Sequence, residues 1–333
     1  MPNYLITGGA GFIGSHLAER LLDSGGRVHI IDDLSSGSLE NLRHLDAGDR
    51  LKVIVEGVQD SPRLQDLVDS SDVIFHLAAT VGVANIIDSP VQTLENNIRG
   101  TDAILQAAAL RKRKVIVTST SEVYGKSLAA PFREEDDLLL GPTVKSRWSY
   151  AASKVVDEFL ALAYWHEKKV PTVVVRPFNT IGPRQIGRYG MVLPRFLSQA
   201  LSRRNLTVFG SGEQTRSFTY VTDIVEWLVR LAENDGAVGR VFNLGNPREI
   251  SIAALARMVL DITGAEVGID FIPYDQAYEA GFEDILRRLP GIEKVTAMTG
   301  YSPRVELEEA VRLTYEWFAQ VWPKRKGASA QAP

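Results

Sequence analysis

The stretch from Leu5 to Gly14, reading LITGGAGFIG, constrains this chain more than any other. A short apolar strand runs into Gly8, Gly11 and Gly14, and an amphipathic helix begins among them at Phe12 and Ile13. Glycines so spaced permit a tight turn, close backbone approach to a pyrophosphate and close packing of helix on strand. The helix N-terminus offers free N–H groups and a positive dipole to the phosphates. Asp32 follows at the end of a second apolar strand, Val28–Ile31, where a carboxylate can accept from both hydroxyls of an adenosine ribose. The remaining segments must therefore fit around a bound dinucleotide.

They do so by alternation. Short apolar runs at Tyr4–Thr7, Val28–Ile31, Leu51–Val55, Val73–Phe75, Lys114–Val117 and Thr172–Val175 are separated by helical patterns near Phe12–Asp23, Val91–Leu110 and Tyr150–Lys168. That order predicts an α/β fold of the Rossmann type, a doubly wound parallel sheet with ligands at the carboxyl ends of its strands. After Pro177 the pattern loosens. A helix is expected from about Val192 to Arg203, a hairpin-like segment at Val208–Gly212, and a return to the main sheet through Thr222–Glu233 and Val241–Asn243. Small helices with one short strand then fill Ser251–Tyr315. The expected division is a dinucleotide lobe, residues 1–177 with about 217–245, and a smaller mixed α/β substrate lobe, about 178–216 with 246–322. Residues 323–333 read as a frayed tail.

Composition excludes several chemistries. With no cysteine, disulfides, thiolate nucleophiles and cysteine-held metals are absent, and the five histidines lie on separate segments without ligand spacing, so no metal is expected. A net charge of −4 argues against nucleic-acid or anionic-membrane partners. No apolar run reaches the ~18 residues of a membrane span, and the first strand starts almost at Met1, so a cytoplasmic protein is expected.

Hydroxyls and a carboxylate gather at Thr118, Ser119, Thr120, Ser121 and Glu122, just past the fifth strand. Tyr150 and Lys154 stand four apart on a predicted helix, which places phenol and ammonium on one face, and a cation there favours the phenolate needed for general-base work. Thr120 can hydrogen-bond the same substrate oxygen. The spacing alone is weak evidence, since Tyr164 and Lys168 repeat it near the helix end, beyond reach of a ligand at the strand termini.

Together these residues resemble the extended short-chain dehydrogenase/reductases, specifically the NAD-dependent nucleotide-sugar epimerase/dehydratase group, over nearly the whole chain. The resemblance implies NAD bound by Gly8, Gly11, Phe12, Ile13, Gly14 and Asp32, by the loop Leu34, Ser35, Ser36 and Gly37, by Val58, by Leu77, Ala78 and Ala79, and by Asn96, Thr118, Tyr150, Lys154 and Pro177. It implies Asn179, Arg216 and Arg288 against the diphosphate or sugar of a UDP-sugar, and a homodimer paired through Val91–Leu110 and Tyr150–Lys168. One departure stands out: Glu56-Gly57-Val58-Gln59-Asp60 lacks the family's adenine-binding aspartate, leaving a main-chain contact from Val58. Asp32 and Asp33 would repel a 2′-phosphate, which favours NAD over NADP.

The shared first step removes a proton from the sugar O4 through Tyr150 and Thr120 as hydride leaves C4. The next step differs among members. Dehydratases carry Asp-Glu after the threonine, whereas this chain has Ser121-Glu122, so dehydration ranks third. The run Thr118–Gly125, Arg147-Trp148-Ser149-Tyr150 and Gly281-Phe282-Glu283-Asp284 before Arg288 are similar to UDP-glucuronate decarboxylases and UDP-apiose synthase. Against decarboxylation, Glu122 is an awkward neighbour for a substrate carboxylate unless it is protonated or paired. Arg188 lies where uronate 4-epimerases carry a carboxylate-binding arginine, and such an arginine restrains loss of CO₂. The expectation is thus a UDP-sugar 4-epimerase, with UDP-glucuronate/UDP-galacturonate slightly ahead of UDP-glucose/UDP-galactose. UDP-glucuronate decarboxylase is the close alternative. A non-catalytic NAD-binding protein or a simple alcohol dehydrogenase fits less well, given the intact Thr120, Tyr150, Lys154 set and the arginines of the second lobe.

Overall fold

The computed structural model describes residues 1–80, 89–127, 129–186, 191–273, 276 and 287–329, with side-chain placement up to residue 321. Its strands, in chain order, are β1 (Asn3–Thr7), β2 (Arg27–Asp32), β3 (Leu51–Val55), β4 (Val73–His76), β5 (Lys114–Thr118), β6 (Thr172–Pro177), β7 (Thr180–Ile181), β8 (Leu206–Phe209), β9 (Thr215–Ser217), β10 (Thr219–Tyr220), β11 (Val241–Leu244), β12 (Glu249–Ser251), β13 (Ile269–Ile272) and β14 (Arg287–Arg288). Seven of them form one sheet in the order β11-β6-β5-β4-β1-β2-β3, every neighbouring pair parallel. Strand order reverses between β1 and β4, the place where a doubly wound sheet opens a crevice for ligand.

Helices α1 (Phe12–Asp23), α2 (Leu64–Asp69), α3 (Pro90–Arg111), α4 (Arg147–Lys168), α5 (Val192–Leu201) and α6 (Val221–Glu233) are followed by α7 (Ile252–Thr263), α8 (Glu293–Thr299) and α9 (Leu307–Ser329). The side-chain alternation of each strand divides the core between the two faces of the sheet. Ile6, Ile30, Phe75, Ile116 and Val175 pack with Leu17 and Leu21 of α1 and Ile224 and Leu228 of α6. Leu5, Ile31, Ile74, Val115, Val117 and Val174 pack with Leu67 of α2, Ile104 and Leu105 of α3 and Ala161 of α4. Each such side chain, taken fully from water, contributes roughly 1.5–3 kcal/mol, which is why strands covered on both faces read as unbroken apolar runs.

Three local expectations change. The segment at Val208–Gly212 is not a hairpin: β8 pairs in parallel with the distant β13, and the chain turns away through Gly210 and Gly212, both at positive φ, into β9. β9 in turn pairs antiparallel with β12 and parallel with β14, so two short strands, β13 and β14, lie in the stretch where one was expected. α9 continues through Pro323 to Ser329 where a frayed tail was expected. Lys, Arg and Ala are good helix formers, and basic residues complement the negative end of a helix. No described helix is long and apolar enough to cross a membrane.

Candidate active site

A cavity of about 790 Å³ opens over the carboxyl ends of β1, β4, β5 and β6, and the glycine-rich turn forms one wall of it. Gly8 has φ +70°, and a Cβ there would come within 2.8 Å of Ala78 N; a Cβ on Gly14 would collide with the carbonyl of Gly8. Side chains are thus excluded from both positions, and α1 starts hard against β1. At the end of β2, Asp32 accepts from Ala10 N at 2.9 Å and from Leu34 N at 2.8 Å. Its carboxyl is raised by burial, an effect those two amides oppose.

Gly11, Phe12, Ile13, Asp32, Ser35, Ser36, Val58, Leu77, Ala78, Ala79, Asn96, Thr118 and Pro177 all line the cavity. Leu34 and Gly37 instead brace Asp32, since a Cβ on Gly37 would sit 2.9 Å from its carboxylate. Gly57, Gln59 and Asp60 join Val58 on the wall, and Gln59 Nε2 reaches Asn96 Oδ1 at 3.4 Å. Thr118 Oγ1 is buried with no hydrogen-bond partner among the described residues, an unmet polar atom of the kind a ligand satisfies. The acidic ribose site, the glycine turn and these polar wall groups fit NAD.

At the far end of the crevice, Thr120 caps the short turn Ser121–Tyr124 by accepting from Glu122 N at 3.2 Å. Its hydroxyl also hydrogen-bonds the phenol of Tyr150 and favours phenolate there. Burial first, and the Glu122 charge second, nevertheless raise the phenol above its ordinary value. The expected lowering by Lys154 is not found. The ammonium is buried and donates to Asp157 Oδ2 at 2.7 Å on the same face of α4, and Lys154 is not among the residues that line the cavity. Alongside, Arg176 of β6 grips Glu158 with Nε and Nη2 at 2.9 and 2.7 Å, and Ser119 donates to Glu158 at 2.5 Å. This clamp holds the end of β5 against α4 and so fixes Thr120 relative to Tyr150. The other Tyr-x-x-x-Lys pair is structural: Tyr164 OH bonds Asp102 at 3.2 Å and Lys168 Nζ lies 4.3 Å from its ring centroid.

On the opposite wall, Asn179 lines the cavity and donates to Ser217 O at 2.9 Å. Arg216 and Arg288 also line it and are register partners across β9 and β14. Arg288, 7% exposed, lies 3.6 Å from Glu122. Arg188, Gly281, Phe282, Glu283 and Asp284 lie outside the described residues. Sequence reasoning passed over several groups. Arg195 sits 4.2 Å from the ring centroid of Phe209 on the wall, and Arg147, one turn before Tyr150, also faces the cavity. Asp157 and Glu158 had a legible signal: two adjacent acids three and four positions after Lys154 on a helix otherwise apolar there. No group of three metal-ligating side chains occurs among the described residues.

The NAD dependent epimerase/dehydratase family matches residues 4–245. This chain belongs to that family. It is 41% identical over 318 residues to the UDP-N-acetyl-alpha-D-glucosaminuronate decarboxylase of Bacillus cytotoxicus, covering 95% of this chain and 98% of that one. It is 37% identical to UDP-glucuronic acid decarboxylase 1 of Xenopus tropicalis, covering 94% and 71%. Among solved structures, the UDP-glucuronic acid 4-epimerase of Bacillus cereus, complexed with UDP-glucuronic acid and NAD, superposes with TM-score 0.85 at 32% identity, covering 96% and 99%. The UDP-N-acetylglucosamine 4-epimerase of Methanobrevibacter ruminantium superposes with TM-score 0.87 at 31% identity, covering 96% and 98%. The family's cofactor is NAD, in keeping with the acid at the end of β2.

Proposed function

We propose that the protein decarboxylates a UDP-linked hexuronic acid through a 4-keto intermediate. The observation that carries this reading is the ion pair between Glu122 and Arg288, 3.6 Å apart beside Tyr150. A bare carboxylate at Glu122 would repel a substrate carboxylate, and a guanidinium at this distance offsets much of that repulsion. The decarboxylases among the relatives draw the reading the same way, away from the 4-epimerase favoured by sequence alone.

The proposed roles follow from position. Tyr150, assisted by Thr120, takes the proton of the sugar O4. Bound NAD would supply the hydride acceptor for C4 and the donor for its return. The resulting 4-ketone makes the C6 carboxylate part of a β-keto acid. The C5–C6 bond breaks, CO₂ leaves, and the bonding pair is held as an enolate over C5, C4 and O4. Ser121 and Glu122, beside Thr120, hold or relay the proton that C5 then takes up, and Tyr150 returns its proton to O4. Lys154 is assigned to holding the Tyr150 end of the site through its charge. Arg216 and Arg288, register partners on β9 and β14 that both line the cavity, are assigned to the diphosphate. Asn179 borders the same wall, and Phe209 under Arg195 offers a stacking surface for a nucleobase. The seven-stranded sheet is then the NAD lobe, and β8, β9 and β12–β14 with α5 and α7 the substrate lobe.

The 4-epimerase is the second reading, favoured by the likeness to the Bacillus cereus enzyme. Feeding UDP-glucuronate and its 2-acetamido counterpart, each labelled with ¹³C at C6, separates the two. Decarboxylation releases the label as CO₂, whereas a product that keeps the label and is inverted at C4 overturns the proposal.

We also infer a homodimer. Val91 on α3 and Phe159 on α4 are 69% and 68% exposed, and Val156 beside Phe159 is also exposed, on two helices that pack against each other. A second copy of the same helix pair is the partner these apolar faces fit.

A further inference from the structure

Glu122 and Arg288 meet from segments far apart in the chain, and one buried link stands behind both. Tyr124 ends the turn Ser121–Tyr124 two residues after Glu122, and its side chain is fully buried. Burial pushes the phenol up to about 12, so the hydroxyl keeps its proton and donates it to Asn243 Oδ1 at 2.7 Å. Asn243, on β11 and equally buried, turns its other end to the far segment: Nδ2 donates to Phe132 O at 2.9 Å and to Gly291 O at 3.4 Å. The main chain of Phe132 then brackets the residues that follow Arg288, donating to Leu289 O and accepting from Gly291 N, both at 2.8 Å. The Phe132 ring stacks on that of Tyr124, with centroids 4.6 Å apart. A single carboxamide thus joins the Glu122 turn to the strand end that carries Arg288.

None of Tyr124, Phe132 and Asn243 lines the cavity, so the link acts through residues that do. Arg176 donates to the Tyr124 hydroxyl at 2.8 Å, which completes the partners of both polar side chains. A buried network satisfied in this way is rigid, and losing one member leaves its neighbours unpaired. We propose that Tyr124 and Asn243 are positioning residues for the step after the 4-ketone: their hydrogen bond sets how closely Glu122 and Arg288 approach, so that the intermediate goes on to product inside the site. The inference rests on the proposed roles of Glu122 and Arg288 after the 4-ketone, but not on whether the product has lost CO₂.

The test follows the NAD-loaded enzyme through a single turnover on whichever of UDP-glucuronate and its 2-acetamido counterpart the wild type accepts, reading the rise and fall of NADH absorbance. In Tyr124→Phe the rise should stay within about threefold of wild type, because the Arg176–Glu158 clamp that fixes Thr120 against Tyr150 remains. The fall should slow at least about tenfold, since misplacing a catalytic group by about 1 Å costs on the order of 100-fold. A fall that is unchanged, or slowed only as much as the rise, would overturn the proposal. Glu122→Gln should slow the fall by itself, and adding Tyr124→Phe should then cost less than about twofold more. Losses that multiply would show Tyr124 acting elsewhere than on the pair and overturn it. In crystals, Tyr124→Phe should open the pair beyond the wild-type 3.6 Å, and an unchanged pair counts against the proposal in the same way. If Tyr124→Phe does not fold, Asn243→Ala breaks the link from the other side and carries the same outcomes; if neither folds, the link serves folding alone and the proposal fails. Release of ¹³C-labelled C6 as CO₂ by the wild type decides the decarboxylase reading separately, since both it and epimerisation return the hydride within the turnover.

Discussion

Tyr150 and Lys154 illustrate how far a spacing rule reaches. Four positions on a helix place two side chains on one face, but Asp157 shares that face, and in a buried setting the ammonium turns to the carboxylate. The local pattern thus located the residues and left their partners open. His76 is a second case. It directly precedes Leu77, Ala78 and Ala79, which were expected beside the cofactor, yet its ring is buried between Thr7 and Thr101, and burial, with Lys154 nearby, holds its pKa down to about 3. Burial likewise lowers His16 to about 4. Both groups stay neutral when folded while their unfolded counterparts take up protons near pH 6.5, so stability is full above that value and declines as pH falls toward the folded values. We expect Tm to drop between about pH 6.5 and 5, above the usual carboxylate range, and the drop to be smaller in His76→Asn. A wild-type Tm that is flat over this interval would contradict the burial of neutral imidazoles.

At the scale of elements, the turn between β1 and α1 is the tightest fit in the site. Gly14→Ala places a methyl against the Gly8 carbonyl and Gly9 Cα, so helix and strand must separate. The expected cost is about 1–3 kcal/mol by denaturant unfolding, together with weakened NAD binding by titration calorimetry. Unchanged binding would show that close helix-to-strand packing does not matter to the site. The parallel strands were legible because burial on both faces writes continuous apolar runs, and α1, α3 and α4 because their apolar residues recur at three and four. β8 was not. Its partner β13 arrives some sixty residues later, and nothing local tells a strand that turns back from one that waits for a distant neighbour. The pairing of Arg216 with Arg288 was hidden for the same reason, since β9 and β14 are far apart in sequence.

For the whole molecule, the proposed account has the glycine turn and Asp32 set where a dinucleotide lies and residues from both sides of the crevice decide the chemistry. Assembly is a separate question with its own test: Phe159→Glu should convert a dimer to monomer in sedimentation velocity at micromolar concentration while leaving the far-UV spectrum unchanged. A wild-type protein that sediments only as monomer would contradict the proposed pairing of α3 and α4. The central claim is that Glu122 and Arg288 direct a shared 4-keto intermediate toward loss of CO₂. Running the reaction on UDP-glucuronate and on its 2-acetamido counterpart in D₂O, with the product followed by NMR and mass spectrometry, tests this most directly. The account predicts from the accepted substrate a pentose product lacking C6, with one solvent deuterium at C5. A hexuronate of unchanged carbon count, inverted at C4 and free of deuterium, would contradict it.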